Sequence, residues 1–250
     1  MKKLCALKGL LTLTTLTILT PAFAESKSSA VGSGLAYPGS HEALFQNPAG
    51  LSEGASLVSL QGLYFFDDSA PFASVTGGLG SVGLAAAWYN SADVNELRTG
   101  LGFGSGALQL GLSLASDESF NAIGVDAAFN YDLSGSRLAI VLRDVTGGIS
   151  RVDLGLGFSL AGGTLGIDVK KPLPFSENSL LLSVGVALPV ALMTVAVGSD
   201  LNYDTAGFGD PNIWAAINIK LTTLALDIRY RALPQELGLG TWGAGVTLAL

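Results

Sequence analysis

Few residues in this chain have the type and spacing that chemistry demands. There is one histidine, His41, and one cysteine, Cys5. A histidine becomes a general base for a nucleophile only beside a hydroxyl or thiol, with a third group to orient its ring. His41 instead lies ahead of the first strand, not at a strand end beside a serine. No His/Cys/carboxylate cluster has metal-ligand spacing. No phosphate-binding loop is present, and Gly77-Gly78-Leu79-Gly80 reads as a turn. The expectation is a protein that is not an enzyme and uses no cofactor.

Charged residues are more informative than nucleophiles. Arg98, Asp126, Arg143, Arg151, Asp153, Asp168, Lys170, Lys220, Asp227 and Arg229 stand at alternate positions of segments whose other positions are apolar. Ionisable groups inside a membrane protein face protein or water and pair with one another. Mixed signs on adjoining segments therefore favour a salt-bridge lattice over an ion-selective ring.

The elements carrying these charges have a period of two. Val152, Leu154, Leu156, Phe158 and Leu160 alternate with Arg151, Asp153, Gly155, Gly157 and Ser159. The segments 164–170 and 223–230 repeat the pattern. One face suits lipid and the other is polar or small, which is the wall of a transmembrane antiparallel β-barrel. Turn residues divide the chain into strands at 55–66, 71–78, 81–89, 97–104, 107–115, 120–131, 137–144, 150–160, 163–170, 179–188, 190–199, 211–220, 222–231 and 238–250. That is about 14 strands, an even number as single-chain bacterial barrels have. The stretch 180–198 is long enough for a membrane helix. Its valines, Gly185 and Pro189 favour two strands with a turn at 188–190.

Connections alternate in length. Those at 90–96, 117–118, 145–148, 171–178, 200–210 and 232–237 are mostly long. Those at 79–80, 105–106, 132–136, 161–162, Pro189 and Leu221 are mostly minimal. Outer-membrane barrels have long outer loops and short periplasmic turns. Tyr64, Phe65, Phe66, Phe72, Trp88, Tyr89, Phe120, Trp214, Tyr230 and Trp242 fall at the outer ends, and Phe103, Phe129, Tyr131 and Phe158 at the inner ends. Two interfacial belts are expected.

Composition agrees. Hydrophobic residues make up 49% of the chain and charged residues 13%, with 33 glycines. A soluble domain this apolar would need a very large core, whereas a barrel turns its outer face to lipid. Lys2, Lys3 and Lys8, an apolar stretch and Ala22-Phe23-Ala24 read as a secretory signal cleaved after Ala24. Residues 1–24 would be signal peptide, 25–54 an N-terminal segment and 55–250 the barrel. Removing the signal leaves 10 basic against 20 acidic residues, a balance that excludes nucleic acid as a partner. The expected location is the bacterial outer membrane, with its lipids as partners.

The segment 25–54 does not alternate. Ser40 suits the N-cap of one helical turn ending before Pro48, although a flexible leader and a turn is the competing reading. The run Ala43-Leu44-Phe45-Gln46-Asn47-Pro48-Ala49-Gly50-Leu51 resembles the N-terminal signature of the FadL-like family of outer-membrane hydrophobic-compound transporters. That resemblance implies a hatch inside a fourteen-stranded wall, with Asn47, Pro48 and Ala49 forming its turn and Leu44 and Phe45 packing it. It also implies passive passage of small, fatty-acid-like hydrophobic molecules. The alternative is a structural or interaction barrel that forms homo-oligomers and contacts lipid without dedicated transport. Strands 3, 5, 10 and 11 are small or apolar on both faces. They fit a hydrophobic conduit, contact with the hatch, a protomer interface or lipid on both sides.

Overall fold

The computed structural model describes residues 32–53, 58–66, 70–90, 95–117, 121–160, 162–173, 179–204, 207–232 and 241–250. Residues 1–24, where a signal peptide is expected, and Phe120 lie outside them. Fourteen antiparallel strands form the wall: β1 Ser59–Phe65, β2 Ala70–Leu79, β3 Val82–Asn90, β4 Asn95–Ser105, β5 Leu108–Ser116, β6 Ala122–Leu133, β7 Ser136–Arg143, β8 Arg151–Leu160, β9 Gly163–Pro172, β10 Leu180–Val190, β11 Met193–Asp204, β12 Asn212–Leu221, β13 Leu224–Ala232 and β14 Thr241–Ala249. Each pairs with its sequence neighbour, and β1 pairs with β14 from Ser59↔Ala249 to Phe65↔Gly243. Closure leaves no unpaired edge, which a sheet in lipid requires. A two-residue strand, Gly207–Phe208, folds back on the end of β11.

Side chains alternate as the pattern predicts. On β8, Leu154 and Leu156 are exposed outward while Asp153 is fully buried within the barrel. The outward face presents Leu84, Leu112, Val197 and Ile228 among many exposed apolar groups. Register decides which aromatics join a belt. Tyr64, Phe66, Trp88 and Trp242 are exposed outward, and Tyr230 stacks on Trp242 with ring centroids 4.5 Å apart. Phe65, Phe72, Tyr89 and Trp214 share parity with inward residues and turn into the lumen, so the outer belt is thinner than the sequence suggests. Phe103, Tyr131 and Phe158 are exposed outward near the other rim.

At that rim the connections are two residues long. Four use glycine at positive φ, namely Gly80, Gly106, Gly135 and Gly162, while Ala191 and Thr222 adopt φ of 54° and 58°. The turn expected at 188–190 lies instead at 191–192, and that expected at Leu221 lies at 222–223. Pro189 is accommodated inside β10. The turn closes on Val190↔Met193, so the next pair, Pro189↔Thr194, is a non-hydrogen-bonded one. β9 pairs with β10 only as far as Ala187, so the absent N–H breaks no ladder. At the opposite rim β4 begins at Asn95, β9 continues to Pro172 and β11 to Asp204, which trims the expected loops.

The N-terminal segment fills part of the lumen. It contains α1, Ala43–Gln46, followed by a 3-10 turn at Pro48–Glu53. Ser40 does not cap α1. Glu42 holds the N-cap position without a side-chain cap, and the Ala43 N–H bonds the Gly39 carbonyl.

Candidate functional site

The hatch is seated where the wall lacks side chains. Gly83 of β3, Gly102 of β4 and Gly111 of β5 face the lumen, and a Cβ on any of them would run into the 3-10 turn. At Gly102 that added carbon would lie 2.6 Å from the Ser52 nitrogen. Across the barrel Gly155, Gly157 and Gly166 press on Leu35, on Ala36 and Tyr37, and on Ser33. The small inner faces of β3 and β5 are thus contact surfaces for the hatch, one of the readings left open above. On β10 and β11, Gly185 and Gly198 underlie the Trp214 ring instead, and Gly185 also meets Ser33. Leu44 and Leu51 complete the packing with Ala43, Ala85 and Ala87. Phe45 stacks on Phe72 at 5.6 Å.

Polar anchors surround this contact. Asn47 donates Nδ2 to the Leu35 carbonyl at 2.7 Å and to Asn130 Oδ1 at 2.6 Å, while its Oδ1 accepts from the Ala49 N–H. Pro48 and Ala49 are buried in the turn that follows. Arg143 reaches from β7 and donates to the Phe45 and Gln46 carbonyls at 2.7 and 2.6 Å, satisfying acceptors that the end of α1 leaves open. On β9, Asp168 accepts the Leu35 N–H on both oxygens. Gly34 makes this approach possible with φ of 139°.

The inward charges form two groups and some isolated members. Arg98 and Arg143 share Asp126, each at 2.8 Å, and Arg143 and Arg151 share Asp153 at 2.8 and 2.6 Å. Around Asp227 the partners are uncharged: Gln61, Thr247 and Asn218 all donate to it. Arg229 pairs with Glu42 of the hatch at 2.7 Å. Lys170 stands beside Asp168 on the inner face of β9, and Lys220 lies near the inner end of β12. Paired and hydrogen-bonded charges of this kind make a lattice that fixes hatch and wall together.

Several members were absent from the sequence reading. Arg137 binds Asp132 at 2.5 Å, Glu53 and the Ala36 carbonyl, with Tyr37 beneath its guanidinium. It shares strand parity with Arg143, so alternation alone would have found it. Gln61, Gln109, Asn130, Asn218 and Thr247 are uncharged and carry no such signal.

His41 does meet hydroxyls. Its Nδ1 lies 2.7 Å from Ser74 Oγ and its Nε2 3.0 Å from Ser59 Oγ. A nucleophile–base pair would also need a group orienting the ring and access for a substrate. Here both ring nitrogens are taken by serines, and ring and hydroxyls are all buried. Burial is also the largest influence on the imidazole, taking its pKa from 6.5 down to about 4; Asp227 opposes the shift and Arg229 adds to it. The ring ties the hatch to β1 and β2.

Between hatch and wall, on the side of β9 to β14, a cavity of about 520 Å³ remains. Trp214, Phe65 and Tyr89 form its apolar surface, while Lys170, Arg229 and Glu42 are among its polar groups. None of the five expected contact residues, Leu44, Phe45, Asn47, Pro48 and Ala49, lines it.

Comparisons with known proteins give a consistent architecture. No family model matches the chain, and no curated protein matches it in sequence. Among solved structures it is similar to the CymD monoaromatic hydrocarbon channel, with a TM-score of 0.60 and 12% identity over 89% of this chain and 99% of that one. A TodX monoaromatic hydrocarbon channel mutant aligns with a TM-score of 0.55 and 11% identity, over 90% of this chain and 98% of that one. The Acinetobacter baumannii outer membrane protein Omp33 aligns at 0.54 and 10%, over 78% and 98%. The fold is a closed fourteen-stranded antiparallel barrel, with the N-terminal hatch segment held in its lumen.

Proposed function

We propose that the protein is an exported outer-membrane barrel through which small hydrophobic molecules pass passively between hatch and wall. The observation that carries this reading is the aromatic-lined cavity of about 520 Å³ beside the hatch, within the range of small-molecule sites. Its apolar surface and scattered polar groups suit a molecule that an aqueous porin would not favour. Similarity to two monoaromatic hydrocarbon channels is compatible with this. Fatty-acid-like molecules remain within the same class.

A second reading is a structural barrel with a permanently filled lumen. The dense anchoring of the hatch by Asn47, Arg143 and Arg137 favours it. The two separate in vesicles with a lipopolysaccharide outer leaflet, which lipid-soluble molecules cross slowly unaided. Passage predicts protein-dependent uptake of a fatty acid or an aromatic hydrocarbon, altered by Asn47→Ala and Pro48→Ala. Absence of uptake in all three proteins would leave the structural reading.

A further inference from the structure

Six charged side chains line the cavity, and their signs cancel: Glu42, Asp168 and Asp200 against Lys170, Arg229 and Arg231. Glu42 holds Arg229 at 2.7 Å and Asp200 holds Arg231 at 3.4 Å. Lys170 stands two residues from Asp168 on the same face of β9. An ion entering such a site loses its hydration and meets no uncompensated opposite charge. Net neutrality therefore selects against carboxylates and ammonium groups alike.

Hydrogen-bond donors, by contrast, are in surplus. Among the described residues the Lys170 ammonium makes no hydrogen bond. Nε and Nη2 of Arg229 and Oγ of Ser183 are buried at the cavity's edge without a partner. Each carboxylate already accepts: both Asp168 oxygens take the Leu35 N–H, Glu42 takes Arg229, the Gly32 N–H and Gln46, and Oδ2 of Asp200 takes Arg231. Beside these donors the Trp214 ring lies against Gly185 and Gly198, whose missing Cβ atoms leave it room. An added Cβ at Gly185 would come within 2.8 Å of the indole.

We propose, on the basis of the passage reading above, that this cavity binds a small uncharged aromatic molecule bearing one acceptor oxygen, such as an aryl ketone or aldehyde. The oxygen accepts from Lys170 and the ring rests on Trp214. A pure hydrocarbon leaves the donors unmet, and a carboxylate adds a charge that nothing balances.

Acetophenone, toluene and benzoate share one ring and differ in the group that matters. Binding is read in detergent micelles from the emission of Trp214, in a protein carrying Trp88→Phe and Trp242→Phe at its two exposed outward indoles. Acetophenone should bind about tenfold more tightly than toluene, the effect of one net hydrogen bond to a charged donor. Benzoate should bind more weakly than acetophenone. Lys170→Met should bring the acetophenone-to-toluene ratio close to one, while Lys170→Arg retains it. If Lys170→Met does not fold, Ser183→Ala supplies a second test by narrowing the ratio. Tightest binding of benzoate, or a ratio near one in the unaltered site, would overturn the proposal. So would a ratio that neither Lys170→Met nor Ser183→Ala changes. Binding in micelles does not depend on passage, so the selectivity and the vesicle uptake fail independently.

Discussion

The side-chain amide of Asn47 sits 2.6 Å from Oδ1 of Asn130, and both side chains are completely buried. This one contact joins the hatch turn to β6. The same amide reaches the Leu35 carbonyl, so it also ties the two ends of the hatch together. Gln109 continues the chain by accepting from Asn130 and donating to Glu53. Asn47→Ala would leave the Leu35 carbonyl and the Asn130 amide oxygen without a donor and the Ala49 N–H without its acceptor, all buried. The expected loss is ~1–3 kcal/mol for each unsatisfied group, read as a lower urea midpoint in micelles. An unchanged midpoint would mean that water replaces the amide at no cost.

Thr222 should be the residue easiest to improve. It is β-branched and holds φ of 58° in the turn between β12 and β13, a region such residues enter with strain. Thr222→Gly should raise stability by ~1 kcal/mol or more, and Gly80→Val in the turn between β2 and β3 should lower it. A destabilised Thr222→Gly protein would show that the threonine makes a compensating contact.

Strand alternation made the barrel legible, and it did so through residues such as Leu154 and Asp153, whose polarity declares their side. Glycine makes no such declaration. Gly83, Gly102 and Gly111 look alike whether they face lipid, a conduit or a hatch, and the atoms they accommodate lie on Ala49, Leu51 and Ser52, far away in sequence. The aromatic belt was overcounted for a related reason. Position in the chain places Phe72 and Trp214 near a rim, but only register sends them inward. The hatch motif located Asn47, while its partner Asn130 is an ordinary residue of a strand and becomes visible only when the barrel closes.

The glycine cradle makes its own prediction. Gly111→Ala should force the hatch away from β5, because the added carbon overlaps the backbone of Pro48 and Ala49. Overpacking of this kind costs ~1–3 kcal/mol. Gly62→Ala on β1 is the control, since its added carbon has no atom within 4 Å. Thermal unfolding of both variants in micelles should separate them. Equal transition temperatures would show that the hatch yields freely, which would weaken its role as a fixed plug.

His41 gives the hatch a dependence on acid whose sign follows from its environment. Burial between Ser59 and Ser74 holds its pKa at about 4, against 6.5 for an exposed imidazole. Above 6.5 the ring is neutral in folded and unfolded chains alike, and the full stability is present. As pH falls from 6.5 towards 4, the unfolded chain binds a proton that the folded one refuses, so stability declines through that window. Below it both forms are protonated and this group takes nothing further. The shift corresponds to at most ~3 kcal/mol. His41→Gln keeps a donor and an acceptor but cannot titrate. Urea midpoints taken at about pH 7 and about pH 4.5 should therefore fall further in the unaltered protein than in His41→Gln. Carboxylates titrating nearby affect both proteins equally, so the difference isolates the ring. Parallel declines would show that the hatch opens to water and that His41 is not the contact that acid tests.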